Sequence, residues 1–174
     1  LFLPSISEKD IFGGIATALR FYEGLAHRLG MDTRIIVLDR KISTQDVDAF
    51  AGYRLVHTKY EGNGSQQIVD MTAPEGKSLP VRKTDIFMAT AWWTAYAAQP
   101  ILKWQNLQYG TQSPLIYLIQ DYEPGFYPWS SQYLLADSTY KMLIQLPYLT
   151  PIFWRISLSR MAISFMDILL STPS

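Results

Sequence analysis

The chain has 174 residues, with fifteen lysines and arginines against fifteen aspartates and glutamates, and it is 48% hydrophobic and 17% charged. That balance excludes the basic footprint of a nucleic-acid binder and the composition of a disordered chain, and the length suits one domain with a real core. There is no cysteine, and His27 and His57 show no ligand spacing, so no disulfide framework, thiol nucleophile, metal or cofactor is expected.

LFLPSI (1–6) is a short apolar run closed by Pro4 and Ser5 and reads as a buried strand of a parallel sheet. No basic region precedes it, and the chain is expected to begin just inside this strand. The loop SEKDIFGG leads into IATALRFYEGLAHRLG (15–30), where Ile15, Leu19, Tyr22, Leu25 and Leu29 recur at helical spacing. Gly30 is placed to stop that helix, and His27 and Arg28 sit in its last turn, where positive charge suits the dipole. RIIVLD (34–39) then reads as a second buried strand, which completes a βαβ unit.

STQDVDAFA predicts a short helix with Ser43 as N-cap and Asp46 in its first turn. YRLVHTKY (53–60) and QQIVDM (66–71) are strand candidates separated by the turn-rich EGNGS, with His57 a structural histidine in the first of them. After a loop come the strand DIFMAT (85–90) and the helix WWTAYAAQPILKW (92–104), with a kink or break expected at Pro100. PLIYLIQ (114–120) is the most apolar strand, followed by the aromatic loop DYEPGFYPWSS and the helix QYLLADSTYKM (132–142). Alternating strands and helices of this length predict an α/β fold: a Rossmann-like open, mainly parallel sheet with helices on both faces. LFLPS, RIIVLD, DIFMAT and LIYLIQ are expected in one sheet.

From Leu143 the chain is apolar almost throughout. Pro147, Pro151, Arg155, Arg160 and Asp167 interrupt it, short of the roughly 20 apolar residues of a membrane span. The expected division is residues 1–140 as the domain and 141–174 as a divergent or truncated tail. In that tail a buried or interfacial helix over about 152–170 is expected, and the interfacial form would make a peripheral membrane contact.

Two motifs carry chemistry. Gly13 and Gly14, between the first strand and first helix, let a ligand approach the backbone and the free N–H groups of a helix start; the plain alternative is a tight turn. This is neither a dinucleotide fingerprint nor a P-loop. Gln120, Asp121, Tyr122, Glu123, Pro124, Gly125, Phe126, Tyr127, Pro128 and Trp129 follow an apolar strand directly, at the sheet edge where ligands bind in open α/β folds. Carboxylates there can accept hydrogen bonds from sugar hydroxyls or serve as a general base, and aromatic faces pack on sugar C–H faces. The alternative is a rigid Pro-Gly loop whose aromatics plug a helix. Were the loop extended, Asp121 and Glu123 would share a face and Tyr122 would point away. Trp92 and Thr90 lie at the end of another strand, with core burial of a tryptophan and helix capping as their plain alternatives.

Three stretches, IFGGIATALRFYEGLAHRLGMDTRIIVLD, TDIFMATAWWTAYAA and above all YLIQDYEPGFYPWSSQYLLADSTY, resemble the WsaF-type bacterial rhamnosyltransferases over about residues 1–140. The resemblance implies the N-terminal half of a GT-B fold, whose C-terminal half holds most of the nucleotide sugar. It also implies transfer of L-rhamnose from dTDP-L-rhamnose to a cell-surface glycan acceptor, in the cytoplasm or at the inner face of the membrane. Gly13 and Gly14 match the family's glycine loop, and Asp121 through Trp129 its acidic-aromatic loop. Asp121 and Glu123 are then the candidate catalytic carboxylates, and Gly13, Gly14, Thr90, Trp92, Tyr122, Tyr127 and Trp129 the candidate substrate contacts. A chain without the donor half is expected to be inactive alone; a non-catalytic glycan-binding module or an inactive gene fragment is the alternative.

Overall fold

The computed structural model of the chain describes residues 1–56, 64–74, 78–111 and 113–141. His57 and the apolar tail with its expected helix lie outside these residues.

Among the described residues, six short strands, all paired in parallel, build a four-stranded and a two-stranded sheet. They are β1 (Phe2–Leu3), β2 (Thr33–Val37), β3 (Arg54–Val56), β4 (Gln66–Asp70), β5 (Phe87–Ala89) and β6 (Leu115–Tyr117). Hydrogen bonding orders them β1-β2-β4-β3, with β5-β6 as a separate pair. The single continuous sheet expected from the sequence is therefore interrupted between β1 and β5. β1 has only two residues and is followed by Pro4, which has no N–H to donate. Side chains bridge the gap: the Thr90 hydroxyl donates to the Phe2 carbonyl at 3.2 Å, and the Phe2 and Phe87 rings lie 5.8 Å apart.

Alternation along the strands divides the core in two. Leu3, Ile35, Val37, Ile68, Met88 and Ile116 face α1 (Gly13–Leu29), and α2 (Thr44–Asp48) adds Val47 on the same side. Phe2, Ile36, Val69, Phe87, Leu115 and Tyr117 face α3 (Trp92–Tyr109), with Tyr140 of α4 (Ser131–Tyr140) packed against them. Helices thus cover both faces. Burying each such aliphatic side chain is worth about 1.5–3 kcal/mol, so this alternation is the main source of stability.

Helix ends follow their chemistry. Gly30 closes α1 at φ +63°, its N–H reaching the Ala26 and His27 carbonyls. Ser43 and Asp46 form a reciprocal capping box on α2. The break expected at Pro100 does not occur: α3 runs through it to Tyr109 and ends at Gly110. Pro100 is exposed, as is Tyr96, whose carbonyl loses its donor, so water can satisfy the freed group.

Candidate functional site at the carboxyl edge of the sheet

β1 sends the chain to β2 on one side, while β5 and β6 lie on the other, so the strand order reverses between β1 and β5. Ligands of open α/β sheets bind outside the strand ends at such a reversal. The segments following β1, β2, β5 and β6 all converge at that edge.

The glycine loop and the acidic-aromatic loop touch there. Gly13 adopts φ +48°, a left-handed conformation that a side chain would strain. Gly14 has an ordinary backbone, but a Cβ on it would overlap the Gln120 carboxamide. The close approach that Gly14 permits is therefore to Gln120, the neighbour of Asp121, and the two sequence motifs form one surface.

The acidic-aromatic loop is not extended. Residues Glu123–Phe126 form a 3-10 turn with Pro124 buried, which sends the two carboxylates different ways. The Glu123 Oε2 accepts the Trp92 backbone N–H at 2.6 Å and the Tyr117 hydroxyl at 3.3 Å. Burial pushes its pKa up, against the pull of those two hydrogen bonds. Glu123 in this structure caps the start of α3. Asp121 is exposed, and among the described residues no side-chain hydrogen bond holds its carboxylate. Its backbone is fixed instead: its carbonyl accepts the Tyr140 hydroxyl at 2.7 Å, and the Tyr140 hydroxyl oxygen in turn accepts the Glu123 N–H at 3.0 Å. Tyr122 donates to the Asp137 Oδ1 at 2.9 Å, and Tyr133 and Asp137 together raise its phenol pKa.

The remaining predicted residues sit on the same edge in supporting positions. Trp92 is half-buried, with its indole N–H on the Tyr127 hydroxyl at 3.0 Å and its ring edge-on to both Trp93 and Tyr127. Neither Trp92 nor Trp93 enters the core. The Thr90 hydroxyl is committed to the Phe2 carbonyl, and the Thr90 N–H donates to the Thr94 hydroxyl at 2.9 Å. Trp129 is 79% exposed and packs at 5.1 Å on Tyr133.

Sequence reasoning missed Asp39. It ends the run RIIVLD at the carboxyl edge, the same signal that singled out Asp121. Its N–H reaches the Pro4 carbonyl at 3.0 Å, and its Oδ2 accepts the Trp93 indole N–H at 2.8 Å. Partial burial raises its pKa, opposed by that indole bond. Tyr133 was also missed, and Gln120, though it opens the acidic-aromatic motif, was given no role; both act through contacts that only the folded chain brings together.

A cavity of about 250 Å³ opens at the other end of the strands, lined by Leu1, Tyr22, Leu25, Arg34, Arg82 and Asp85 among others. Arg34 there bonds Asp85 through Nη1 at 3.4 Å and Gln67 through Nε at 2.9 Å, while its buried Nη2 has no hydrogen-bond partner among the described residues. None of the sequence-predicted site residues lines it, and it sits away from the edge where this fold places ligands. Among the described residues, no three His, Asp or Glu side chains group to hold a metal, and no helix is long and apolar enough to cross a membrane.

Fold and edge together define a Rossmann-like α/β domain with a carboxylate-and-aromatic surface at its strand reversal. The chain matches the family described as WsaF, N-terminal domain, over residues 1–147, and it belongs to that family. Membership places it among glycosyltransferase-like proteins. No curated protein matches the chain.

Proposed function

We propose that this chain is the acceptor-side domain of an enzyme that transfers L-rhamnose from dTDP-L-rhamnose to a cell-surface glycan, working in the cytoplasm at the inner face of the membrane. One observation carries the reading: in a chain of this family, the loop after β6 presents an exposed, unpaired carboxylate, Asp121, beside the Gly14–Gln120 contact. Asp121 takes the proton of the acceptor hydroxyl if the transfer inverts configuration, and orients that hydroxyl if it does not. Gly13, Gly14, Tyr122 and Trp129 are the proposed substrate contacts at the same edge. Glu123, Trp92, Tyr127 and Thr90 hold the loop and the start of α3 in register, so their contribution is to position Asp121.

In this reading the nucleotide sugar is held by the donor half of the enzyme, so the 174-residue segment assayed by itself is expected to transfer no sugar. The decisive experiment is a rhamnosyl-transfer assay on a two-domain protein carrying this N-terminal domain, alongside calorimetric titration of the 174-residue chain with a rhamnose oligosaccharide and with dTDP-L-rhamnose. Transfer by the two-domain protein, with glycan but not donor binding by the chain, supports the proposal. Glycan binding without transfer in the two-domain protein makes it a binding module instead.

A further inference from the structure

We infer that Trp129 and Tyr133 form a stacking subsite for an uncharged sugar ring of a glycan, separate from the nucleotide and extending the site beyond the hydroxyl that reacts. The inference rests on the acceptor-side reading above.

Five aromatic rings run outward from the core in sequence. Tyr117, buried in β6, packs on Tyr140 at 5.8 Å, and Tyr140 packs on Tyr122 at 5.2 Å. Tyr122 is 47% exposed, and its hydroxyl interacts with that of Tyr133. Tyr133 then carries Trp129 on its ring at 5.1 Å and 42°, and Trp129 is 79% exposed. The row grades from dry to wet and ends in a tryptophan ring with most of its surface free.

That ring is fixed in advance. Ser130 caps α4 by accepting the Tyr133 N–H at 3.2 Å, which sets Tyr133 on the first turn of a helix, and Tyr133 in turn backs Trp129. A ligand that stacks on Trp129 therefore loses little to ordering the protein. Such a surface suits the C–H face of a sugar, whose slightly positive hydrogens meet the negative face of an indole.

Charge selects the class of sugar ligand. Between Lys103 and Lys141 the chain contains no lysine, arginine or histidine, while Asp121, Glu123 and Asp137 are acidic. Lys141 is itself paired with Asp137. A nucleotide diphosphate carries charge that cationic side chains balance, and it meets no cation from this segment's side chains. The exposed neighbours Ser131 and Gln132 are polar and uncharged, which fits hydroxyl groups.

The test is by NMR on the uniformly labelled 174-residue chain, with the Trp129 indole signal assigned through Trp129→Phe. Adding a rhamnose oligosaccharide should move that signal, and adding dTDP should leave it in place. Trp129→Ala should weaken oligosaccharide binding by about tenfold, while Trp129→Phe retains much of it. Circular dichroism of both variants should match the parent chain, because Trp129 is exposed. The inference is overturned if dTDP moves the Trp129 signal, if the oligosaccharide does not, or if Trp129→Ala binds it as tightly as the parent. A two-domain enzyme that fails to transfer rhamnose would sink the proposed function and leave this binding result standing, so the two failures are distinct.

Discussion

Glu123 reaches across thirty-one positions of sequence to place its carboxylate 2.6 Å from the backbone nitrogen of Trp92, and this bond, with that of the Trp92 indole N–H to the Tyr127 hydroxyl, ties the loop after β6 to the first turn of α3. A helix start has free N–H groups that need acceptors, and the residue at the cap position here, Ala91, supplies only a methyl. Glu123 takes that role from a distant loop.

Two outcomes follow at this position. Glu123→Ala leaves the Trp92 N–H without its partner and should cost about 1–2 kcal/mol in denaturant unfolding. Glu123→Gln keeps an acceptor oxygen and removes a half-buried charge. Because the folded pKa of Glu123 is raised, its protonated form is the one folding favours, and its stabilising effect fades as pH rises through that raised value. The glutamine variant should lose this dependence and unfold no earlier than the parent near neutral pH. If its stability falls as far as that of the alanine variant, the charge itself is what holds the helix.

The capping box on α2 should show the opposite sign. The Ser43 hydroxyl, then its backbone N–H, holds the Asp46 carboxyl below the ordinary value. That contribution is present above the usual carboxylate range and is lost as pH falls through the depressed folded value. Ser43→Ala should cost about 1 kcal/mol at neutral pH, with the difference from the parent shrinking in acid. An unfolding series between neutral and strongly acidic pH checks it.

The two glycines should separate cleanly. Gly13→Ala puts a side chain at φ +48° and should cost about 1–2 kcal/mol. Gly14→Ala meets only the movable end of the Gln120 side chain, so its stability should stay within about 0.5 kcal/mol while Gln120 is displaced. Thermal melts of the two variants decide whether the glycine loop is constrained by its backbone or by its neighbour. A large loss at Gly14 would mean that Gln120 cannot yield.

The fold was legible in the sequence because each strand is a short β-branched or apolar run and each helix ends at a glycine or a cap. Gly30 and Ser43 act where their chemistry put them. The interruption between β1 and β5 was not legible, since it depends on which strands the folded chain sets side by side. The place of the candidate loop in the fold was legible for a topological reason: a loop directly after a buried parallel strand lies at the carboxyl edge. The division of labour within it was not. Asp121 and Glu123 look alike two residues apart, and only the 3-10 turn at Pro124 and the proximity of α3 make one a cap and leave the other free. Asp39 carried the same strand-end signal, but no neighbouring aromatic in sequence drew notice to it; its partner Trp93 comes from another helix.

That asymmetry sets the test of chemistry. In a two-domain enzyme carrying this loop, Asp121→Asn removes the exposed carboxylate without disturbing the Tyr140 bond, which is made to the Asp121 backbone carbonyl. If Asp121 is the general base, kcat should fall by about 10²–10⁴ with KM little changed. If it orients the acceptor hydroxyl, acceptor KM should rise more than kcat falls. Glu123→Gln, which keeps the cap on α3, should leave both constants near those of the parent. The reverse pattern, with Glu123→Gln crippled and Asp121→Asn active, would move the chemistry to the buried carboxylate, whose raised pKa would then be read as tuning for proton transfer. Near-normal kcat and KM in both variants would make the loop structural and leave Asp39, held by Trp93 at the same edge, as the carboxylate to examine next.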